Sequence, residues 1–323
     1  MHTPSNLLFW ILFLAFVVSM IVLDLGILHR KAQAPTMRSA LAWAAMWVAM
    51  AAGFAVLIFF YGHLMTGDTV DGNRQLSLEF VTGYLVEEAL SVDNLFVFLL
   101  IFRYFRVPAG LQRKVLFWGI LGAIIMRAIF IGAGVTLLNR FHWVMYIFGA
   151  FLVYAGVKLL FQDDEEDKNP GDSFITRFAQ RHLRLTDDFA HGSFTVMRDG
   201  IHYFTRLALV LIVIETTDVI FAVDSIPAVL AVTRQPYIVF TSNIFAILGL
   251  RAMYFALSGL MELFHLLNYG LAIILTFIGI KMLAANYIDI PTLYALGFIV
   301  VVLTASVVLS IVIKPRQNTN PAE

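Results

Sequence analysis

Long apolar stretches separated by short polar connections run through nearly the whole chain. A helix that spans the hydrocarbon of a bilayer needs roughly 20 apolar residues. Nine stretches reach about that length, near 6–28, 39–62, 79–102, 111–138, 143–161, 205–232, 238–260, 266–285 and 290–313. Only the connection between Phe161 and Thr205 is long and polar. The pattern predicts an all-α membrane protein with about nine transmembrane helices.

The positive residues of the connections are distributed unevenly. If the N-terminus lies outside, the outer connections hold three lysines and arginines, Arg74, Arg140 and Arg234, and the cytoplasmic ones hold fifteen. Cytoplasmic connections are enriched in positive residues. The sequence therefore predicts a multi-pass protein of a bacterial inner (plasma) membrane, with its N-terminus outside and its C-terminus in the cytoplasm.

Composition narrows the function. The chain of 323 residues is 60% hydrophobic, only 14% charged, and has a formal net charge of zero, so nucleic acid is not an expected partner. It has no cysteine, which excludes disulfides, thiolate metal sites and iron–sulfur clusters. No motif of a hydrolase or of a nucleotide-binding loop is present. We expect no enzymatic activity and no permanently bound cofactor.

Two stretches of the chain repeat each other. Tyr146 precedes Lys158 by twelve residues in span five, and Tyr269 precedes Lys281 by twelve in span eight. Gly156 and Gly279 lie two residues before the respective lysines. The alignment extends to spans three and four against spans six and seven. It pairs Arg127 with Arg251, Asp93 with Asp224, Asn94 with Ser225, and Glu87 with Asp218.

Each repeat contains three spans, an odd number, so the second copy enters the membrane in the opposite sense. Inverted repeats of this kind belong largely to transporters, whose sites lie near the midplane. The predicted organisation is as follows: residues 1–62 for two N-terminal spans, 63–161 for the first three-helix repeat, 162–204 for a cytoplasmic loop, 205–285 for the second repeat, and 286–323 for the last span and tail. Within the loop, Asp199–Gly200 is a turn signal that predicts a small β-hairpin.

Ionisable side chains interrupt the predicted spans. Seven are acidic: Asp24, Glu87, Glu88, Asp93, Glu215, Asp218 and Asp224. Two are basic, Arg127 and Arg251. A charge at the bilayer centre costs about 2.5–3.5 kcal/mol on insertion scales, so such groups face one another, a cavity or an ion. The arginines could serve only to lock helices together, but two arginines cannot neutralise six acids in the repeats.

The residue types indicate a site for a hard cation. Carboxylate, amide and hydroxyl oxygens suit Mg²⁺, Ca²⁺ or Mn²⁺. The candidate metal ligands are Glu87, Asp93, Asn94, Glu215, Asp218, Asp224 and Ser225. The candidate charge-balancing residues are Arg127, Arg251, Lys158 and Lys281. Pro227 predicts a break in span six that frees the Val223 carbonyl as a further ligand beside Asp224.

The chain resembles the TerC family of integral membrane proteins, and most closely its Alx branch. The resemblance covers nearly the whole chain and is carried by the stretches 83–98, 145–158, 214–229 and 242–255, of which VIFAVDSIPA (219–228) and FAILGLRAMYF (245–255) are the most specific. It implies manganese export, with family acids at Glu87, Asp93, Asp218 and Asp224. The family name also carries a link to tellurium resistance, and the Alx branch carries the label of a redox modulator. Glu88 departs from the Alx pattern, which has a lysine there, and is expected to modulate ion preference.

Two other classes stay open. One is a membrane redox modulator or scaffold in a metal or tellurite stress-response complex, which would need a bound partner or metal because the chain has no cysteine. The other is an intramembrane aspartyl protease with paired aspartates. The protease is disfavoured because the acids are numerous, repeat symmetrically and accompany Arg127 and Arg251. The leading hypothesis is an exporter of Mn²⁺ or a similar divalent cation, with proton counter-transport as a further expectation.

Overall fold

A computed structural model describes residues 4–28, 37–67, 69–141, 143–161, 181, 183–186, 188–198, 200–257, 266–288 and 290–312. Over these ranges the chain forms α1 (Pro4–Leu28), α2 (Met37–Thr66), α3 (Asn73–Tyr104), α4 (Ala109–Arg140), α5 (Val144–Leu160), α6 (Arg206–Leu230), α7 (Pro236–Leu257), α8 (Leu267–Ala284) and α9 (Thr292–Val312). Two short strands, β1 (Thr195–Arg198) and β2 (Ile201–Phe204), precede α6, and 3₁₀ turns occupy Val70–Gly72 and Ala190–Gly192.

The helices have the length and composition of membrane spans. Among the described residues, five are long and apolar enough to cross a bilayer: Arg38–Thr66 in α2, Ala109–Arg140, Pro236–Tyr254 in α7, Leu267–Ala284 and Thr292–Val312. Leu7–Val22 and Val144–Leu160 are shorter apolar helices. Large apolar side chains such as Leu8 and Val301 are exposed on the outside of the bundle, as expected of surfaces that face lipid. The protein is an all-α membrane protein.

The helices that carry the acids are shielded by their neighbours. α3 packs against α7, α2 and α6, and α4 packs against α6 and α7. α5 pairs with α8, while α9 covers α3 and α8, and α1 lies against α2. Pairing α3 with α7 and α4 with α6 forms a central group of four helices, and a charge on their inner faces avoids lipid.

The α5–α8 pair is in direct backbone contact. A β-carbon on Gly156 would lie 2.7 Å from the Ala272 carbonyl oxygen. A β-carbon on Gly279 would lie 2.7 Å from the Gly149 carbonyl oxygen. Neither distance leaves room for a side chain, so glycine sets the separation of these helices, as small residues do at many membrane-helix interfaces.

The predicted hairpin is confirmed. β1 and β2 are antiparallel, with Thr195 opposite Phe204 and Arg198 opposite Ile201. Gly200 has φ +75°, a value that favours glycine in a two-residue hairpin turn. The Lys114 ammonium of α4 donates to the Gly192 carbonyl at 2.8 Å and lies over the Phe194 ring. The hairpin is thereby fixed to the end of the bundle where α4 and α6 begin, here called the hairpin end.

One sequence prediction is wrong. α6 runs unbroken from Arg206 to Leu230 with Pro227 inside it, so no break occurs beside Asp224. Pro227 lies in the last turn of the helix, where the missing amide hydrogen bond disturbs few residues. α3 is likewise continuous from Asn73 to Tyr104, and it begins earlier than the predicted span. The side chains of Asp24, Asp93 and Arg251 lie outside the described part of the structure.

Candidate cation site

A buried ion pair lies at the centre of the bundle. Arg127 of α4 donates from Nη1 to Glu87 Oε1 of α3, and the two side chains are 1% and 0% exposed. At 1.5 Å per residue, Glu87 is about 21 Å and Arg127 about 27 Å from the start of a helix about 48 Å long. The pair therefore lies near mid-helix, where neither partner can be hydrated at the membrane surface.

A third helix completes the arginine's environment. Arg127 Nη1 also donates to Asn243 Oδ1 of α7 at 2.7 Å. The Asn243 amide nitrogen donates to the Val239 carbonyl at 3.1 Å, which fixes the orientation of the amide. Asn243 is not among the site residues predicted from the sequence. The available signal was a lone amide within an apolar span, because an amide in hydrocarbon needs a partner.

Asp218 of α6 lies near the arginine. Its charge acts on Arg127, but its Oδ2 is buried and has no hydrogen-bond partner among the described residues. Asp218 is 6% exposed. A buried carboxylate oxygen without a donor is costly unless a proton or a cation meets it. It is thus one of the buried polar atoms of the site that have no protein partner among the described residues.

A small cavity lies beside Asp218. It measures about 20 Å³ and is bordered by Ser91 and Asn94 of α3, Arg127, and Asp218. Apolar side chains and Gly119 of α4 form the rest of its wall. A volume of this size holds one water molecule. It is also large enough for a bare divalent cation with oxygen ligands on two sides.

Two hydroxyl groups lie near the Glu87 carboxylate. Ser91 Oγ donates to Glu87 Oε1 at 3.4 Å, and Ser225 of α6 also lies beside the carboxylate. Neither the Ser225 hydroxyl nor Glu87 Oε2 makes a well-formed hydrogen bond within the described ranges. The structure thus gathers five of the twelve candidate residues, Glu87, Asn94, Arg127, Asp218 and Ser225, in one place.

The remaining described candidates lie farther out. The Glu215 carboxylate occupies the space over Gly122 of α4, one helical turn from Asp218 on the side of the hairpin end. Asp224 is half-buried and is acted on by Lys158 of α5. Glu88 reaches Gly249 of α7, where Trp47 of α2 also packs. These three acids therefore face different neighbours from those of Glu87.

The site is not a cluster of many acids. Within the part of the chain that the structure describes, no group of three or more His, Cys, Asp or Glu side chains is arranged to hold a metal ion. The oxygens that border the cavity come from the Asp218 carboxylate, the Asn94 amide and the Ser91 hydroxyl, and the Glu87 carboxylate and the Ser225 hydroxyl lie close by. Such a mixed set of hard oxygens matches the ligand preference of Mn²⁺, Mg²⁺ and Ca²⁺.

A second, wider cavity lies at the opposite end of the bundle. It measures about 760 Å³ and is bordered by the start of α3, the end of α4, the α6–α7 turn and the end of α8, where Lys281 lies. Glu79 crosses part of it, accepting from Thr233 Oγ1 at 2.5 Å and from Gln75 Nε2 at 3.0 Å. Gln75 also donates to Thr292 Oγ1 at 2.7 Å, which links α3 to α9.

Buried carboxylates and an arginine at mid-helix, enclosed by apolar helices, define a polytopic integral membrane protein with an ionic centre. The sequence of residues 73–318 matches the integral membrane protein TerC family. This chain belongs to that family, which confirms the resemblance described above.

Relatives extend over the full length. The chain is 46% identical over 319 residues to the "Putative membrane-bound redox modulator Alx" of Escherichia coli K12, covering 98% of each protein. It is 44% identical over 315 residues to an uncharacterized membrane protein of Myxococcus xanthus, covering 97% of this chain and 95% of the relative. An uncharacterized membrane protein of Rickettsia felis is 38% identical over 305 residues, covering 94% of this chain and 98% of the relative. No solved structure matches the chain.

Proposed function

We propose that the protein is a bacterial inner-membrane transporter that exports Mn²⁺ or a similar hard divalent cation. The observation that carries the proposal is Asp218, which has a buried oxygen without a partner among the described residues and borders a cation-sized cavity together with Ser91 and Asn94. An intramembrane acid of this kind marks an ion pathway in membrane proteins more often than a purely structural contact.

The donor set favours a transported ion over a resident one. Two carboxylates and neutral oxygens supply hard ligands but fewer charges than a tight structural site collects. A transported ion must also be able to leave its site. We therefore propose Mn²⁺ as cargo, with no permanently bound cofactor and no catalytic step. Asp93, Glu215 and Asp224 are proposed as further ligands along the path, and Glu88 as a modulator of ion preference.

Inverted repeats of α3–α5 and α6–α8 are part of the proposal. Their support is the reciprocal contact of α5 with α8. The repeat alignment pairs Gly156 with Gly279 and Gly149 with Ala272. Gly156 packs on the Ala272 carbonyl, and Gly279 packs on the Gly149 carbonyl, so the two contacts are equivalent under the alignment. The cross-packing of α3 on α7 and of α4 on α6 is also what a pseudo-twofold axis in the membrane plane requires.

The position of the two cavities supports alternating access as the proposed mechanism of transport. The small cavity lies between the mid-helix ion pair and the hairpin end, and the wide one lies at the opposite end. From the positive-inside distribution of lysine and arginine we propose that the hairpin end lies in the cytoplasm and the N-terminus outside. Glu215, one turn nearer the hairpin end, would then meet a cytoplasmic cation before Asp218 does.

The decisive experiment is Mn²⁺ flux in proteoliposomes that contain the purified protein. Wild type is compared with Asp218→Asn, which removes the unpartnered charge, and with Asp188→Asn, a matched control on the exposed hairpin segment. We expect saturable flux in wild type and in the control. In Asp218→Asn the flux should fall at least tenfold, which corresponds to a free-energy difference of about 1.4 kcal/mol. Absence of flux for Mn²⁺, Mg²⁺ and Ca²⁺ in correctly inserted wild type rejects transport.

Proton counter-transport is a separate part of the proposal. Its motivation is that carboxylates vacated by a cation at the bilayer centre need a new positive partner. An imposed pH gradient, more acidic on the side that receives the metal, is expected to accelerate Mn²⁺ flux. A rate indifferent to the gradient, measured with the membrane potential clamped, argues against protons as the coupling ion.

The second candidate function is a redox modulator or scaffold in a metal or tellurite stress-response complex. The observation that favours it is the name of the Escherichia coli relative, a putative membrane-bound redox modulator. Because the chain has no cysteine, redox chemistry would need a bound metal or a partner. A purified protein without a redox-active group that transports Mn²⁺ rejects this candidate, and a co-purifying redox protein in the absence of flux supports it.

A further inference from the structure

Arg127 is positioned between two acceptors on different helices. Its Nη1 donates to Glu87 of α3 and to Asn243 of α7, and its Nε has no partner among the described side chains. The guanidinium is thus held by one charged and one neutral group. If it left Glu87, Asn243 would still retain it within the site.

The cavity lies beside this arginine. Arg127 and Asp218 both border it, so a cation that enters lies close to a guanidinium that stays protonated at any usable pH. Like charges at short range in a low-dielectric interior repel strongly. A metal ion can therefore use the oxygens of Glu87 and Asp218 only if Arg127 moves away from them.

The repeat alignment indicates that the two proposed repeats differ in how they surround their arginine. The offset that pairs Arg127 with Arg251 also pairs Asn243 with Gly119. On the first side an amide holds the arginine, and on the second side Gly119 borders the cavity. The amide anchor and the cavity thus occupy equivalent positions of the two repeats, and the centre is asymmetric.

We infer that Arg127 is a tethered counter-cation of the transport site, which the metal displaces from Glu87 and which returns to Glu87 when the metal leaves. The inference rests on the proposed function and deepens it. The returning guanidinium compensates the Glu87 carboxylate, which would otherwise have to take up a proton before the empty transporter reorients. Arg127 thereby permits the empty transporter to reorient, while Asn243 keeps the displaced guanidinium in reach.

Net transport and exchange separate this role from a structural one. Net Mn²⁺ flux needs the empty transporter to return, whereas exchange of radioactive Mn²⁺ against unlabelled Mn²⁺ needs only the loaded form to move. The variants are Arg127→Gln, which removes the charge, and Arg127→Lys, which keeps it. Arg140→Gln, an exposed arginine at the end of the same helix, is the matched control.

The expected result is a split in Arg127→Gln. Mn²⁺ binding, measured by titration calorimetry, tightens by about tenfold because a competing positive charge is gone. Net flux falls by at least about tenfold, while exchange stays within about threefold of wild type. Arg127→Lys retains net flux, and Arg140→Gln behaves as wild type in every assay.

Two results overturn the inference. One is a folded Arg127→Gln whose exchange falls as far as its net flux, or whose Mn²⁺ affinity does not rise, since both indicate a structural arginine. The other result applies if Arg127→Gln does not fold. In that case the inference is overturned by an Arg127→Lys variant that is monodisperse and exchanges Mn²⁺ but has lost net flux, although it keeps the positive charge. Wild type that neither binds nor moves Mn²⁺ rejects the proposed function itself, a result distinct from either of these.

Discussion

Asn243 and Arg127 are joined by a 2.7 Å hydrogen bond between α7 and α4, in the interior of the bundle. Both side chains are essentially inaccessible. The bond ties the arginine of the proposed first repeat to a helix of the proposed second repeat. It therefore links the stability of the central helices to the geometry of the proposed cation site.

Replacing Asn243 with alanine is expected to destabilise the protein. The change leaves a buried donor of Arg127 without its neutral acceptor, a loss of about 1–3 kcal/mol. Thermal unfolding in detergent, followed by circular dichroism, measures the change. Asn139→Ala, at an exposed amide near the end of α4, is the control and should leave the midpoint unchanged. Equal midpoints for both variants would contradict the described bond.

The Glu87–Arg127 pair is expected to show strong coupling in a double-mutant cycle. Glu87→Gln leaves a guanidinium buried without its counter-charge, and breaking a buried pair from one side costs about 3–5 kcal/mol. Arg127→Gln should cost less, because a carboxylate can take up a proton and arginine cannot lose one. The double variant should regain much of the loss, since a neutral pair needs no compensation. Additive losses would show that the two side chains act independently.

Mn²⁺ is expected to stabilise the purified protein against heat. A ligand that binds only the folded state adds about 2.7 kcal/mol at a concentration one hundred times its Kd. The midpoint of unfolding should rise with Mn²⁺ in wild type and in Asp188→Asn but not in Asp218→Asn. An equal rise in Asp218→Asn would place the binding site elsewhere, and Zn²⁺ should stabilise less because the site lacks histidine.

Alanine at Gly156 or Gly279 is expected to separate α5 from α8. The new methyl group would meet a backbone carbonyl at 2.7 Å in either case, and overpacking of this kind costs about 1–3 kcal/mol. The matched control is Gly132→Ala in α4, where a β-carbon meets nothing within 4 Å. That control should be neutral or slightly stabilising, because alanine favours helix over glycine. The comparison uses thermal midpoints, and the proposed pseudo-twofold relation predicts similar losses of stability at Gly156 and Gly279.

The hairpin segment is expected to loosen in acid. The Thr186 side chain and the Arg198 guanidinium beside Asp188 hold the pKa of that carboxyl below its ordinary value. Because the folded-state pKa is depressed, the contribution is present above the ordinary aspartate pKa and is lost as the pH falls through the lowered one. Hydrogen exchange of the hairpin amides measures this. In Asp188→Asn the hairpin amides should be less protected from exchange than in wild type at neutral pH. Their protection should not change as the pH falls through the lowered pKa of Asp188.

Much of the fold could be predicted from the order of apolar and polar positions. Helices of membrane length, the long polar connection and the hairpin turn at Gly200 depend on local chemistry, so a linear sequence reveals them. The break expected at Pro227 was wrong because helix geometry near a terminus tolerates a missing amide bond. The presence of a proline in the sequence does not show how close to the end of a helix the proline lies.

The sequence by itself determined that carboxylates and arginines lie inside the membrane, because apolar stretches of fixed length leave them no other place. Only the tertiary structure decided which of them meet. Residues far apart in the chain, Glu87, Arg127, Asp218 and Asn243, come together because four helices cross at one level. The same packing directs Asp224 towards Lys158 and Glu88 towards Gly249. Spacing along one helix determines on which side of that helix a residue lies. Which other helix packs against that side depends on the packing of the whole bundle.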